Sequence, residues 1–324
     1  EMTSSLVGSE MCIRDREEVA PSIYPATVET ARRAVSANPF SASAHHLLGH
    51  CLFRTGDYEG ASAAFKESEN LCLAWEKAEN VSPALDDAYF RSILYRAVSE
   101  FCAGRYKRAE AIASRAASVP LDKKHPLAPG TLLQLWEART LPARLMLARP
   151  GLPRQALVLK AFPGPLPKGF PDLSNGMTAV ASQYMGACYA ARQGRTDAVA
   201  SAFDKMSGIL RLLMDGADAA RRQMSVSYWA RCLQTGSLYS SEIRSLMFPD
   251  SANVWMSEAI RSQRFSSLLL PPVVPYPAEW VLARAYLKAG KFRECADMCE
   301  QALKRFPNHA GVLETLDKAR SSGK

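Results

Sequence analysis

Two histidines four residues apart, His46 and His50, have the spacing of metal ligands on a helix. Residues at i and i+4 lie on one helix face, so both imidazoles could bind the same zinc ion. A structural zinc site needs four ligands, and no acidic residue or cysteine follows at a matching helical spacing. A metal- or small-ligand-binding face at His46 and His50 is therefore an alternative interpretation, and we expect no bound cofactor. The competing interpretation is that both are ordinary polar side chains on a groove wall.

Cations and an aromatic ring recur at similar spacing elsewhere. Arg54 lies one helical turn beyond His50, and Trp280, Arg284 and Lys288 follow one another at intervals of four. An aromatic side chain with two cations on one face can bind a peptide that carries carboxylates. The alternative is that Trp280 packs against the proline-rich segment before it and that the cations are simply solvated.

Motifs of common enzymes are absent from the sequence. It has no GxGxxG after a strand, no GxxxxGK[ST], no HExxH and no GxSxG. The net charge of +8 is spread over isolated doublets such as Arg32-Arg33 and Lys123-Lys124, which is not the concentrated footprint of a nucleic-acid-binding protein. We predict a protein that is not an enzyme, does not bind nucleic acid and prefers mildly acidic partners.

The elements that would position these side chains repeat with a period of about 34 residues. The two strongest units have a small residue, then a glycine, then an aromatic residue two positions later, as in Gly49, Gly56 and Tyr58. This order predicts two antiparallel helices joined by a glycine turn, with the small residue allowing close approach. The clearest units cover residues about 40–70, 85–118, 177–208 and 277–308. The second unit is displaced by more than one period, which predicts a longer connection from Cys72 to Pro83.

This layout resembles the tetratricopeptide repeat, a helix–turn–helix unit of about 34 residues. The resemblance implies an all-α, TPR-like superhelix over residues 17–324 that is degenerate in its middle. The chain is also similar to a broad set of largely uncharacterised, mostly bacterial members, through His46, His50 and Arg54 and a proline link ending in Trp280. Members that bind chaperone tails use Lys and Asn at set positions. Here those positions hold Leu94, Val98 and Phe101, which disfavours that function.

The resulting hypothesis is a non-enzymatic scaffold that binds a partner peptide or protein along its concave surface. The predicted partner-binding residues are His46, His50, Arg54, Trp280, Arg284 and Lys288. Replacing Trp280 and Arg284 with alanine is expected to weaken binding and leave thermal melting unchanged.

The remaining expectations concern the amino terminus and the compartment. Residues 4–16 resemble translated sequencing-adapter sequence, so we predict that residues 1–16 are non-native or disordered and that upstream repeat sequence is missing. The eight cysteines form no CxxC pair, which favours a reducing, cytoplasmic location. The longest uncharged apolar run, Leu268 to Val274, is far shorter than the ~20 residues of a membrane span.

Overall fold

A computed structural model of the protein describes residues 24–216, 226–264 and 270–323, and the predictions for residues 1–16 lie outside these ranges. Regular structure in the described residues is helical throughout and includes no strand, which confirms the predicted all-α repeat class. The helices are α1 (Tyr24–Ala37), α2 (Ala42–Thr55), α3 (Tyr58–Glu79), α4 (Asp87–Cys102), α5 (Tyr106–Ala117), α6 (Pro129–Leu133), α7 (Arg139–Ala148), α8 (Gln155–Ala161), α9 (Asp172–Arg192), α10 (Thr196–Asp215), α11 (Val226–Met247), α12 (Ala252–Arg264), α13 (Ala278–Lys288), α14 (Phe292–Arg305) and α15 (Ala310–Ser322). A π turn, Gln134–Ala138, joins α6 to α7, and 3-10 turns occur at Pro83–Leu85 and Pro249–Ser251.

Four helix hairpins share one kind of turn. The pairs are α2–α3, α4–α5, α9–α10 and α13–α14, and the glycine in each turn has φ between 70° and 80°. A residue with a side chain is strained in this left-handed region, which is why glycine stands at Gly56, Gly104, Gly194 and Gly290. The glycine in these turns therefore ends the first helix and reverses the chain within a few residues.

Close contact inside the first of these hairpins depends on Gly49. A Cβ atom at this position would lie 2.8 Å from two carbons of the Phe65 ring, so the two helices approach each other across a bare backbone. The connection predicted from Cys72 to Pro83 is wrong, because α3 continues to Glu79 and buries Cys72. The helix ends only at Asn80, which adopts the left-handed conformation with φ 54°.

The array closes on itself, because its first hairpin contacts its last repeat. The Phe53 and Phe306 rings meet edge to face with their centroids 6.4 Å apart, within one hydrophobic cluster. The Asn308 side-chain amide donates to the carbonyl of Gly56 at 3.4 Å. A Cβ on Gly56 would also lie 2.5 Å from the carbonyl oxygen of Pro307. The loop after α14 is therefore seated on the turn between α2 and α3.

The proline-rich segment 270–277 fills the interior of this closed array. Residues 271–277 are buried, and carbonyl oxygens of the segment accept hydrogen bonds from the side chains of three different helices. These bonds run from Tyr95 to Leu270 (2.9 Å), from Arg144 to Val273 (2.7 Å) and from Gln263 to Tyr276 (2.7 Å). Proline has no N–H, so an extended segment rich in proline leaves fewer donors to satisfy inside a protein. The faces of α4 and α7 that hold this segment are therefore not open to a partner.

Candidate functional site: a basic groove where α9, α11 and α13 meet

The two histidines lie in the packing between α2, α3 and α4. His46 Nδ1 is 3.0 Å from the Ser92 hydroxyl, and its ring meets Phe65 edge to face at 5.2 Å. Burial lowers the pKa of His46 to about 3, so this imidazole is neutral at physiological pH. His50 is only 6% exposed and its ring meets Tyr95 edge to face at 5.5 Å. In the part of the chain that the structure describes, no group of three or more His, Cys, Asp or Glu side chains is arranged to hold a metal ion.

Trp280 is 1% exposed and belongs to the core between α13 and α15. Its indole N–H donates to the Thr315 hydroxyl at 2.8 Å, and its ring lies 5.2 Å from that of His309. The expectation that a Trp280→Ala variant melts unchanged is therefore wrong. Truncating a buried tryptophan costs about 3–5 kcal/mol of unfolding free energy.

Arg284 is stacked on the ring of Trp280. Its guanidinium carbon is 4.4 Å from the centroid of the Trp280 ring and 6.0 Å from that of Tyr276. No hydrogen bond or ion pair within the described residues uses this guanidinium. Stacking fixes the plane of the group and leaves its N–H donors at the edge. Trp280 is thus the ring against which Arg284 is held, and Arg284 itself is half-buried.

Arg284 and Lys288 line a groove of about 1040 Å³ where the carboxyl ends of α9, α11 and α13 meet. Lys291, in the turn after α13, adds a third cation. Asp250 is the only acidic side chain among the described residues of the lining. One wall of the groove is therefore strongly basic.

The rest of the groove is mainly apolar. The larger apolar side chains of its lining come from α10, from α11 and α12, and from α13: Val199, Leu246, Met247, Met256, Val281, Leu282 and Tyr286. Leu246 is 40% exposed, and Phe248 and Val254, close to it in sequence, are also exposed. An apolar surface beside a row of cations is suited to an amphipathic partner with acidic groups.

Arg284 and Lys288, two of the residues predicted from the sequence, line this groove, and the rest of its lining was not predicted. Lys291 could have been predicted, because it follows Arg284 by seven residues and Lys288 by three. The apolar wall gave no signal, since it comes from the irregular unit of α11 and α12. Arg54, on α2, lies at the end of a different hairpin and is partly buried.

Residues 24–70 match the sequence pattern of the tetratricopeptide repeat family. This match covers α1, α2 and most of α3, and the same helix hairpin with a left-handed glycine turn recurs along the chain. Residues 24–70 are therefore similar to a tetratricopeptide repeat, and the helix hairpins that follow share its layout. No curated protein and no solved structure matches it. None of the described helices is long and apolar enough to cross a membrane.

Proposed function

We propose that this protein is a non-enzymatic scaffold that binds a segment of a partner protein in the groove between α9, α11 and α13. The observation that carries the proposal is the groove itself, with an apolar wall facing Arg284, Lys288 and Lys291. Tetratricopeptide-repeat proteins serve in general as protein-interaction scaffolds, and rigid helices hold such a surface in place before the partner arrives.

The packing of the amino-terminal hairpins argues for this location over the face of α2. His46 and His50 are engaged with Phe65, Ser92 and Tyr95, and segment 270–277 occupies the neighbouring interior. Arg284 and Lys288, by contrast, border open space. We therefore place the partner on the carboxyl-terminal half of the array.

The partner class and compartment complete the proposal. We propose a mildly acidic protein partner, with no role in nucleic-acid binding, in the cytoplasm. The basic groove wall supports the acidic preference, and the seven cysteines of the described residues are free thiols, as in a reducing compartment.

Photo-crosslinking tests the location of the site. The full chain is used to select binders from a random 16-residue peptide library, and a photoreactive amino acid then replaces Leu246 in the groove. The matched control carries the same amino acid at Trp75, an exposed aromatic residue on α3. We expect the selected peptides to crosslink from position 246 and not from position 75. Crosslinking from position 75 alone, or a library that yields no binder, would contradict the proposed function.

A further inference from the structure

We propose that the partner segment is an amphipathic helix whose carboxylates, four residues apart, bind Arg284 and Lys288 while its apolar side chains pack against Leu246 and Met247. This inference rests on the proposed function and names the chemistry of the partner at the same groove.

Arg284 is the group that selects a carboxylate. Its guanidinium lies 4.4 Å from the Trp280 ring and makes no direct ion pair or hydrogen bond in the described residues. Its charge does act on the buried Glu242, whose pKa burial raises and Arg284 helps to lower. Most buried or half-buried carboxylates of the described residues form ion pairs with arginine, as Glu137 does with Arg144 and Arg231. A fixed guanidinium offers two parallel N–H donors to one carboxylate, a geometry that lysine cannot reproduce. The stacked Arg284 is therefore prepared for an acidic side chain supplied from outside.

The spacing of the cations matches a helix. Arg284 and Lys288 are four residues apart on α13, which separates their Cα atoms by about 6 Å along the helix axis. Acidic residues at i and i+4 of a second helix have the same separation, so a helix lying along α13 places one carboxylate opposite each cation. Lys291, in the following turn, extends the basic wall beyond the end of α13.

The apolar wall favours a helix over an extended peptide. An extended segment exposes its backbone N–H and C=O groups, and each of these needs a partner when it is buried. Segment 270–277 solves this problem with proline residues and with donors from Tyr95, Arg144 and Gln263. The groove wall formed by Leu246 and Met247 offers apolar side chains instead. A helix satisfies its own backbone and buries an apolar face there.

The test uses the peptides selected with the full chain and three single-charge variants. Arg284→Gln and Lys288→Gln remove groove cations, and Lys66→Gln removes an exposed cation on α3 as the matched control. We expect the selected peptides to carry Asp or Glu at i and i+4 beside apolar residues and to gain helicity on binding, measured by circular dichroism. We expect each groove variant to bind about tenfold more weakly and Lys66→Gln to bind normally. Binding should also weaken as NaCl rises.

Two controls keep the outcome interpretable. The melting temperature of each variant shows whether the substitution has disturbed the fold. If Arg284→Gln is destabilised, the binding test relies on Lys288→Gln, which changes an exposed residue. Arg284→Lys keeps the charge but loses the paired donors, so we expect an intermediate affinity. Peptides that crosslink from position 246 but lack acidic pairs, or bind both glutamine variants normally, would overturn this inference and leave the proposed function standing. Peptides that do not crosslink from position 246 would overturn both.

Discussion

At the scale of single residues, burial decides which polar side chains are available to a partner. Trp280, Arg284 and Lys288 share one helix face in the sequence, yet Trp280 lies in the core, Arg284 is stacked over it and Lys288 is exposed. His46 and His50 also share a helix face, and both pack against neighbouring helices. Helical spacing predicted which residues are neighbours, but it could not predict which of them the next helix covers.

Glu76 gives a pH-dependent prediction at this scale. Glu76 is 2% exposed and lies near Asp86, the residue that caps α4. Burial, followed by the neighbouring Asp86, raises the pKa of Glu76 from 4.5 to about 7. Between these two values the unfolded chain ionises Glu76 and the folded chain keeps it protonated. The free energy of unfolding therefore falls as pH rises through this interval, by about 1–3 kcal/mol in total.

Urea unfolding at pH 4.5, 6 and 8 measures this loss. A Glu76→Gln variant should lack it, so that its stability relative to the native protein rises from pH 4.5 to pH 8. Glu79→Gln, an exposed change on the same helix, is the matched control and should keep the native pH profile. If the free energy of unfolding of Glu76→Gln changes with pH in the same way as that of the native protein, the pKa of Glu76 is not raised in the folded state.

At the scale of helices, the repeat follows from small residues at two kinds of position. Gly56 and its counterparts allow the left-handed turns, and Gly49 allows the helices of one hairpin to touch. Both features recur with the period of the sequence, which is why the hairpins could be predicted. The length of α3 could not, because Cys72 and Glu76 continue its buried face without any repeat signal.

Two glycine substitutions separate close packing from helix propensity. Gly49→Ala places a Cβ 2.8 Å from the Phe65 ring, so we expect it to destabilise the protein by about 1–3 kcal/mol. Gly208→Ala is the matched control, since Gly208 lies within α10 with no atom close to an added Cβ. That change should stabilise the protein by up to about 1 kcal/mol, because alanine favours the helix. Thermal or urea unfolding of both variants gives the two signs, and a stable Gly49→Ala protein would contradict the packing described for α2 and α3.

At the scale of the whole molecule, the chain is a closed array with a filled interior. Phe306 lies in the same hydrophobic cluster as Phe53, and segment 270–277 connects α4, α7 and α12 through its carbonyls. Repeat spacing predicts contacts between successive units only, so neither this closure nor the groove could be found from the sequence. Both are formed by residues far apart in the chain, several of them in the irregular unit of α11 and α12.

A double-mutant cycle tests the closure. Phe53→Ala and Phe306→Ala remove the two rings that meet between the first hairpin and the last repeat. We expect a coupling energy of about 0.5–1.5 kcal/mol between them in urea unfolding. Met206, buried in the other large hydrophobic cluster, is the control partner for Phe53 and should show no coupling. A coupling near zero for Phe53 and Phe306 would indicate an open array.

The most direct test of the central claim is hydrogen exchange of the full chain with and without a selected 16-residue peptide. The proposed function predicts slower exchange at residues 245–256 and 281–291, which form the walls of the groove. Exchange at residues 42–55 and 87–102, around His46 and Tyr95, should not change. Slower exchange confined to these amino-terminal helices, with none at the groove, would contradict the account.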